Sequence, residues 1–205
     1  MDIDKTTDFL PLYKKEIIAE IERIDETEIK KVIKFLWVTY KSGDPIFIIG
    51  NGGSAANASH FAQDLVKGTY PTYHGLRDDR FGKAFKAISL VDNISFITAT
   101  SNDDGYEYIF VNQLKSLANK DSLLIAISGS GNSPNVLSAV RWCNLNKIPV
   151  MSFTGGDGGE LKKLSTLNVN VYNTNMMHIE TIHSFMFHYI IEQLKWIRVQ
   201  DGQDI

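Results

Sequence analysis

The chain has 205 residues, 43% of them apolar, with a net charge of -3 and a single cysteine; the pI is near 5.9. Such a charge excludes general nucleic-acid binding, which needs clustered Lys and Arg. No apolar run reaches the roughly 18 residues of a membrane span, and "MDIDKTTDFL" lacks the basic-then-apolar order of a signal peptide, so a soluble cytoplasmic protein with no membrane partner is expected.

No composition shift marks a second domain, and residues 1–205 are read as a single one: N-terminal helices over 1–43, then an α/β core and C-terminal helix over 44–198. Phe9, Leu10, Tyr13, Ile17, Ile21 and Ile24 fall close to helical spacing. A second helix begins at "DETE", where Asp25 and Glu28 fit a capping box, and runs to about Lys41. After "SGDP" the pattern changes to short apolar runs of strand length: "IFIIG" at 46, "FKAISL" at 85, "LLIAIS" at 123, "PVMSFT" at 149 and "LNVNVY" at 167. Small or polar residues and then a potential helix follow each run. Parallel neighbours require crossovers, so this alternation predicts a three-layer α/β/α sandwich around a five-stranded parallel sheet, flavodoxin-like, behind an N-terminal helical hairpin. "YPTYHGLRDDRFGK", residues 70–83, is the one long polar connection, and the tail "VQDGQDI" is expected to fray. Cys143 in "AVRWCNLNK" reads as a buried structural thiol.

Two strand-to-helix turns share one grammar, "GNGGSA" at 50–55 and "SGSGNSP" at 128–134. A helix N-terminus offers unpaired N–H groups and partial positive charge, and glycines let a phosphate approach the backbone. Ser128, Ser130 and Ser133 add hydroxyl donors, while Pro134 suits the first turn of the helix that follows. Neither turn is a Walker loop or a dinucleotide fingerprint. Ligands of such sheets bind beyond the carboxyl ends of the strands, where both turns would lie. The same residues also serve as ordinary caps and tight turns, but two such turns in one sheet favour an anion site.

His60 and Asp64 lie four residues apart on the helix leaving the first turn, hence on one face. On the last helix, "HIETIHSFMFH" carries Glu180, His183 and His188, with Glu180 and His188 about two turns apart on one flank. Two helices can thus present a mixed N/O set for a divalent cation such as zinc, or a carboxylate and imidazole for proton transfer.

In combination these motifs resemble the sugar isomerase (SIS) domain proteins, specifically the phosphoheptose isomerases. "IGNGGSAANASHFAQDL" is similar to the family's "CGNGGSAADAxHFAxEL", and Asn102, Asp103, Gly105, Tyr106 and Phe110 follow its "NDxGFxxxF". "ISGSGNSPNV", "FTGGDGG" and "IETIHSFMFH" follow in the family's order and spacing, so the resemblance covers about residues 28–195. It implies a homotetramer, with the N-terminal helices used in assembly and active sites at subunit interfaces, converting sedoheptulose 7-phosphate to an aldoheptose 7-phosphate. It also implies that Ser128, Gly129, Ser130 and Ser133 hold the phosphate, and that Asn51, Gly52, Gly53, Ser54, Asn93, Asp103 and Glu180 face the substrate. His60, Asp64, Glu180 and His188 fall on the family's zinc ligands, of which Asp64 and His188 inherit the acid/base roles; His183 matches a histidine that is no ligand.

The resemblance has departures. Asp64 replaces Glu, shortening the arm by a methylene, and Glu180 replaces Gln, adding a carboxylate. Asn57 and Asn93 stand where the family usually has Asp. The segment 70–83 replaces a shorter "GRY"-type stretch whose Arg is Thr69 here, with Arg77 or Arg80 as substitutes or as solvated loop charge. A noncatalytic SIS module of the initiator-associating type, or a phosphosugar sensor, would share the phosphate motifs. Such modules typically lack the final His and the acid after "HFA", so His188 and Asp64 favour catalysis.

Overall fold

The computed structural model describes residues 9–70, 72–73, 76–77 and 83–203, with the backbone alone at 72–73, 76–77 and 202–203. Helices α1 (Leu10–Glu22) and α2 (Glu26–Ser42) form the expected N-terminal hairpin. Asp25 caps α2 by accepting from the backbone N–H of Thr27 and Glu28. The reciprocal half of the capping box is replaced by an ion pair, because the Glu28 carboxylate takes Lys31 at 2.7 Å. Ile29, Val32, Ile33 and Leu36 recur at helical spacing and are buried. Gly43, left-handed at φ 75°, ends the helix with its N–H on the carbonyls of Thr39 and Tyr40.

Beyond the hairpin the chain runs through β1 (Pro45–Ile49), α3 (Gly53–Gln63), the short β2 (Thr72–Tyr73) and β3 (Leu76–Arg77), then β4 (Lys86–Ser89). It continues through α4 (Ile94–Asp103), α5 (Val111–Leu117), β5 (Leu123–Ser128), α6 (Pro134–Leu145), β6 (Val150–Gly155), α7 (Gly159–Leu164), β7 (Leu167–Val171) and α8 (Met176–Gln203). The main sheet has five strands in the order β4-β1-β5-β6-β7, every pair parallel. Strands β2 and β3 pair with each other, antiparallel, inside the polar connection; residues 71, 74–75 and 78–82, Arg80 included, lie outside the described residues.

Alternation along β1 divides the interior into two cores. Ile46 and Ile48 face α2, α3 and α8, where Leu36, Phe61, Leu65, Ile182 and Phe187 meet them. Phe47 and Ile49 face α5, α6 and α7 through Leu114, Val136, Val140 and Leu161. Each such side chain contributes about 1.5–3 kcal/mol by leaving water. Helix α8 does not fray at residue 199 but continues to Gln203. Arg198 explains why: it is 2% exposed, with its guanidinium 4.7 Å from the Tyr40 ring centroid and 4.8 Å from that of Tyr70. It donates to Thr69 Oγ1 and to the Lys83 carbonyl, fastening both ends of the polar connection to α8. Among the described residues no helix is long and apolar enough to cross a membrane.

Candidate active site

The order of strands reverses between β1 and β5, and the two Ser/Gly turns leave the sheet on either side of that point. Helix α3 departs to one face and α6 to the other, opening a crevice at the strand ends. In the turn after β5, Ser128 Oγ accepts from the Gly131 N–H at 3.2 Å and lies 3.4 Å from Ser133 Oγ. Gly131 has φ +64°, and a Cβ there would overlap the Gly158 carbonyl, so the turn is closed by a backbone contact that only glycine allows. Ser133 precedes Pro134 at the start of α6 without capping it. Ser130 is exposed and Ser133 partly so, whereas Ser128 and Gly129 are buried. Neighbouring Ser128 and Ser133 hydroxyls at a helix N-terminus can accept and donate as an oxyanion site requires.

In the turn after β1, Gly53 begins α3, and the Glu180 carboxylate rests where a side chain at 53 would be. The negative charge of Glu180 thus sits at the positive end of α3. Asn57 holds the two helices together by donating to the Glu180 carbonyl at 3.1 Å. An aspartate could not make that bond. Asn51 exchanges two hydrogen bonds of 2.8 Å with Asn135 on α6, which spans the crevice. Gly52 is the N-cap of α3, and Ser54 is buried in its first turn.

Further along the same helices, His60 Nε2 lies 3.2 Å and His188 Nε2 3.8 Å from Asp64 Oδ2. One ligand atom from each residue falls within 4.8 Å of the others. Two imidazoles and a carboxylate at that separation suit a zinc-like cation with a coordination position left open, so the residues present fit the group. Both histidines are about half exposed, and Asp64 is mostly covered. Asp64 also begins a single π-helical turn, Asp64–Gly68, in which its carbonyl accepts from the Thr69 N–H. Sequence periodicity gave no sign of this turn, which starts at the residue that carries the carboxylate.

Glu180 stands apart from that group within one chain. Eight residues along α8 place it about 12 Å from His188, beside Gly53. Asn93 caps α4, accepting from the Phe96 N–H at 3.1 Å. Asp103 ends the same helix and accepts from Asn102 Nδ2. His183 is fully buried, its Nε2 3.2 Å from the Thr154 carbonyl, and burial pulls its pKa down to about 4, outweighing the opposing effect of that bond. Cys143 is buried as expected, its thiol pushed up to about 12 by desolvation. Tyr106 and Asn135 carried no assigned role in the sequence, yet both bond to Asn51. Their places in the "NDxGF" and "GNSxNV" patterns were the only available signal.

The model of the SIS domain matches residues 13–155. The phosphoheptose isomerase of Helicobacter pylori is 36% identical over 187 residues, covering 88% of this chain and 93% of its own. That of Aliarcobacter butzleri is 35% identical over 181 residues, with 88% and 91% covered. The solved phosphoheptose isomerase of Neisseria gonorrhoeae superposes with a TM-score of 0.80 at 26% identity, covering 90% of this chain and 96% of its own. The family model spans more than half of the chain and relatives above 30% identity cover most of it, so the chain belongs to the SIS domain family, among its phosphoheptose isomerases.

Proposed function

We propose that the protein isomerises sedoheptulose 7-phosphate to D-glycero-D-manno-heptose 7-phosphate through an enediol. The observation that carries this reading is the Asp64 carboxylate beside the imidazoles of His60 and His188, the latter on α8, whose first residue Met176 packs against Gly129 of the serine turn. Ketose–aldose exchange moves a proton between adjacent carbons while charge on the carbonyl oxygen is stabilised. Asp64 serves as the base, and His188 holds or delivers the proton at the sugar oxygens. Ser128, Ser130 and Ser133 fix the phosphate so that the reacting carbons stay in register.

The proposal includes one zinc per chain, held by His60, Asp64 and His188, which when bound supplies Lewis-acid polarisation of the substrate oxygens. It also includes a homotetramer in the cytoplasm. In support of assembly, His60 lies about 10 Å along α3 from Gly53, and His60 and His188 are about half exposed in the single chain, as are Phe185 and Tyr189, each 45% exposed. Those two side chains line a mostly apolar groove of about 340 Å³ with Ile21, Ile24 and Ile29. A second copy seated there would bury this groove, which runs along α8 beside the turn that carries His188. In that arrangement Glu180 joins the ligand set only from a neighbouring copy.

The test is incubation with sedoheptulose 7-phosphate in deuterated water, following the C1 proton and the product by NMR. Exchange together with aldose formation is expected. Tight binding of the sugar phosphate without exchange would overturn the catalytic assignment in favour of a binding module.

A further inference from the structure

On a second wall of the crevice, Tyr106, Glu107 and Asn135 have no assigned role. Tyr106, just beyond α4, extends its hydroxyl to Asn51 Oδ1 at 3.0 Å. Its ring remains 56% exposed, so it borders open space instead of packing a core. Asn51, Tyr106, Glu107, Ser133 and Asn135 border a cavity of about 470 Å³ that reaches the phosphate turn through Ser133.

The hydrogen-bond inventory fixes what this wall presents. Asn135 Oδ1 accepts from the Val136 N–H at 2.9 Å, which sets the orientation of the Asn135 amide. Asn135 Nδ2 therefore donates to Asn51 Oδ1, and Asn51 Nδ2 donates to Asn135 Oδ1. Asn51 Oδ1 receives two donors, so the tyrosine must donate to it. One N–H of Asn51 and the lone pairs of the Tyr106 hydroxyl remain. That is a donor and an acceptor side by side, the complement of a sugar hydroxyl, which both accepts and donates.

We propose that Tyr106 is a specificity-determining residue that, with Asn51, binds a hydroxyl of the polyol chain between the phosphate and the reacting carbons. This rests on the isomerase reading of the same crevice. The anchored phosphate sets the distance, and the Tyr106–Asn51 pair selects for a hydroxyl at that position. The carboxylate of Glu107, on the same rim, disfavours a second phosphate there.

The test compares Tyr106→Phe with the unaltered protein, using sedoheptulose 7-phosphate, shorter ketose phosphates and inorganic phosphate. Expected is a rise in KM of about tenfold for the heptulose phosphate, with kcat changed less than about threefold. The preference for it over shorter substrates should shrink correspondingly, and inorganic phosphate affinity, read by calorimetry, should be unchanged. Equal losses on every substrate, a matching fall in phosphate affinity, or no change at all would overturn the proposal. Should the unaltered protein bind heptulose phosphate without isomerising it, the isomerase reading fails, and the Tyr106 assignment is still decided by the same affinity comparison.

Discussion

Nε2 of His188 lies 3.8 Å from Oδ2 of Asp64, across the contact between α8 and α3. The same oxygen lies 3.2 Å from His60 Nε2, so one carboxylate is shared between two imidazoles. Asp64→Asn keeps the shape but removes the proposed base, and His188→Ala removes its proposed partner. Each is expected to lower kcat by about 10²–10⁴, with KM altered much less. Because the two act as a unit, the double variant should lose far less than the product of the single losses. Steady-state kinetics on the heptulose phosphate checks this, and a small uniform effect of both would refute the roles.

At the serine turn after β5, the proposed phosphate site, two substitutions should separate binding from folding. Ser130 is exposed and its hydroxyl only accepts from the Asn132 N–H at 3.2 Å. Ser130→Ala should raise KM about fivefold while leaving kcat and stability nearly unchanged. Gly131→Ala instead puts a Cβ into the Gly158 carbonyl at positive φ. It should cost about 1–3 kcal/mol in urea unfolding. Equal stability losses would mean that Ser130 is structural.

Much of this was legible because the physical demands are local. A fully buried parallel strand such as Leu123–Ser128 must be an unbroken apolar run, and a phosphate turn must be small and polar. Helical spacing placed His60 with Asp64, and the family pattern brought His188 to them. Pairings set by tertiary packing left no such trace. The Asn57 bond to the Glu180 carbonyl, the Arg198 stack between Tyr40 and Tyr70, and the Tyr106–Asn51 bond each join distant segments through one side chain. The π-helical turn after Asp64 was equally hidden, since its residues also suit an α-helix. Glu180 shows the limit of spacing arguments: it shares a flank with His188, but two helical turns carry it to the other end of the site.

The metal assignment predicts about one zinc per chain in protein purified without chelator. His60→Ala should remove it, because two ligands remain where three are needed to hold the ion firmly. Adding zinc in excess should raise the melting temperature of the unaltered protein and not of that variant, since only a site formed in the folded state links binding to stability. Identical melting shifts in both proteins would place the ion elsewhere.

His183 makes stability pH-dependent in a direction that can be worked out. It is buried against Phe153 and Phe187, its pKa held near 4 in the folded protein and at the ordinary 6.5 once exposed. The unfolded chain therefore binds a proton that the folded one refuses between those values, and stability must fall as the pH drops from 6.5 toward 4. The full gap is worth roughly 3 kcal/mol. His183→Gln keeps a donor for the Thr154 carbonyl but cannot titrate, so urea unfolding across that range should lose most of this contribution to the slope. A slope as steep in the variant as in the unaltered protein would assign the acid sensitivity to the carboxylates instead.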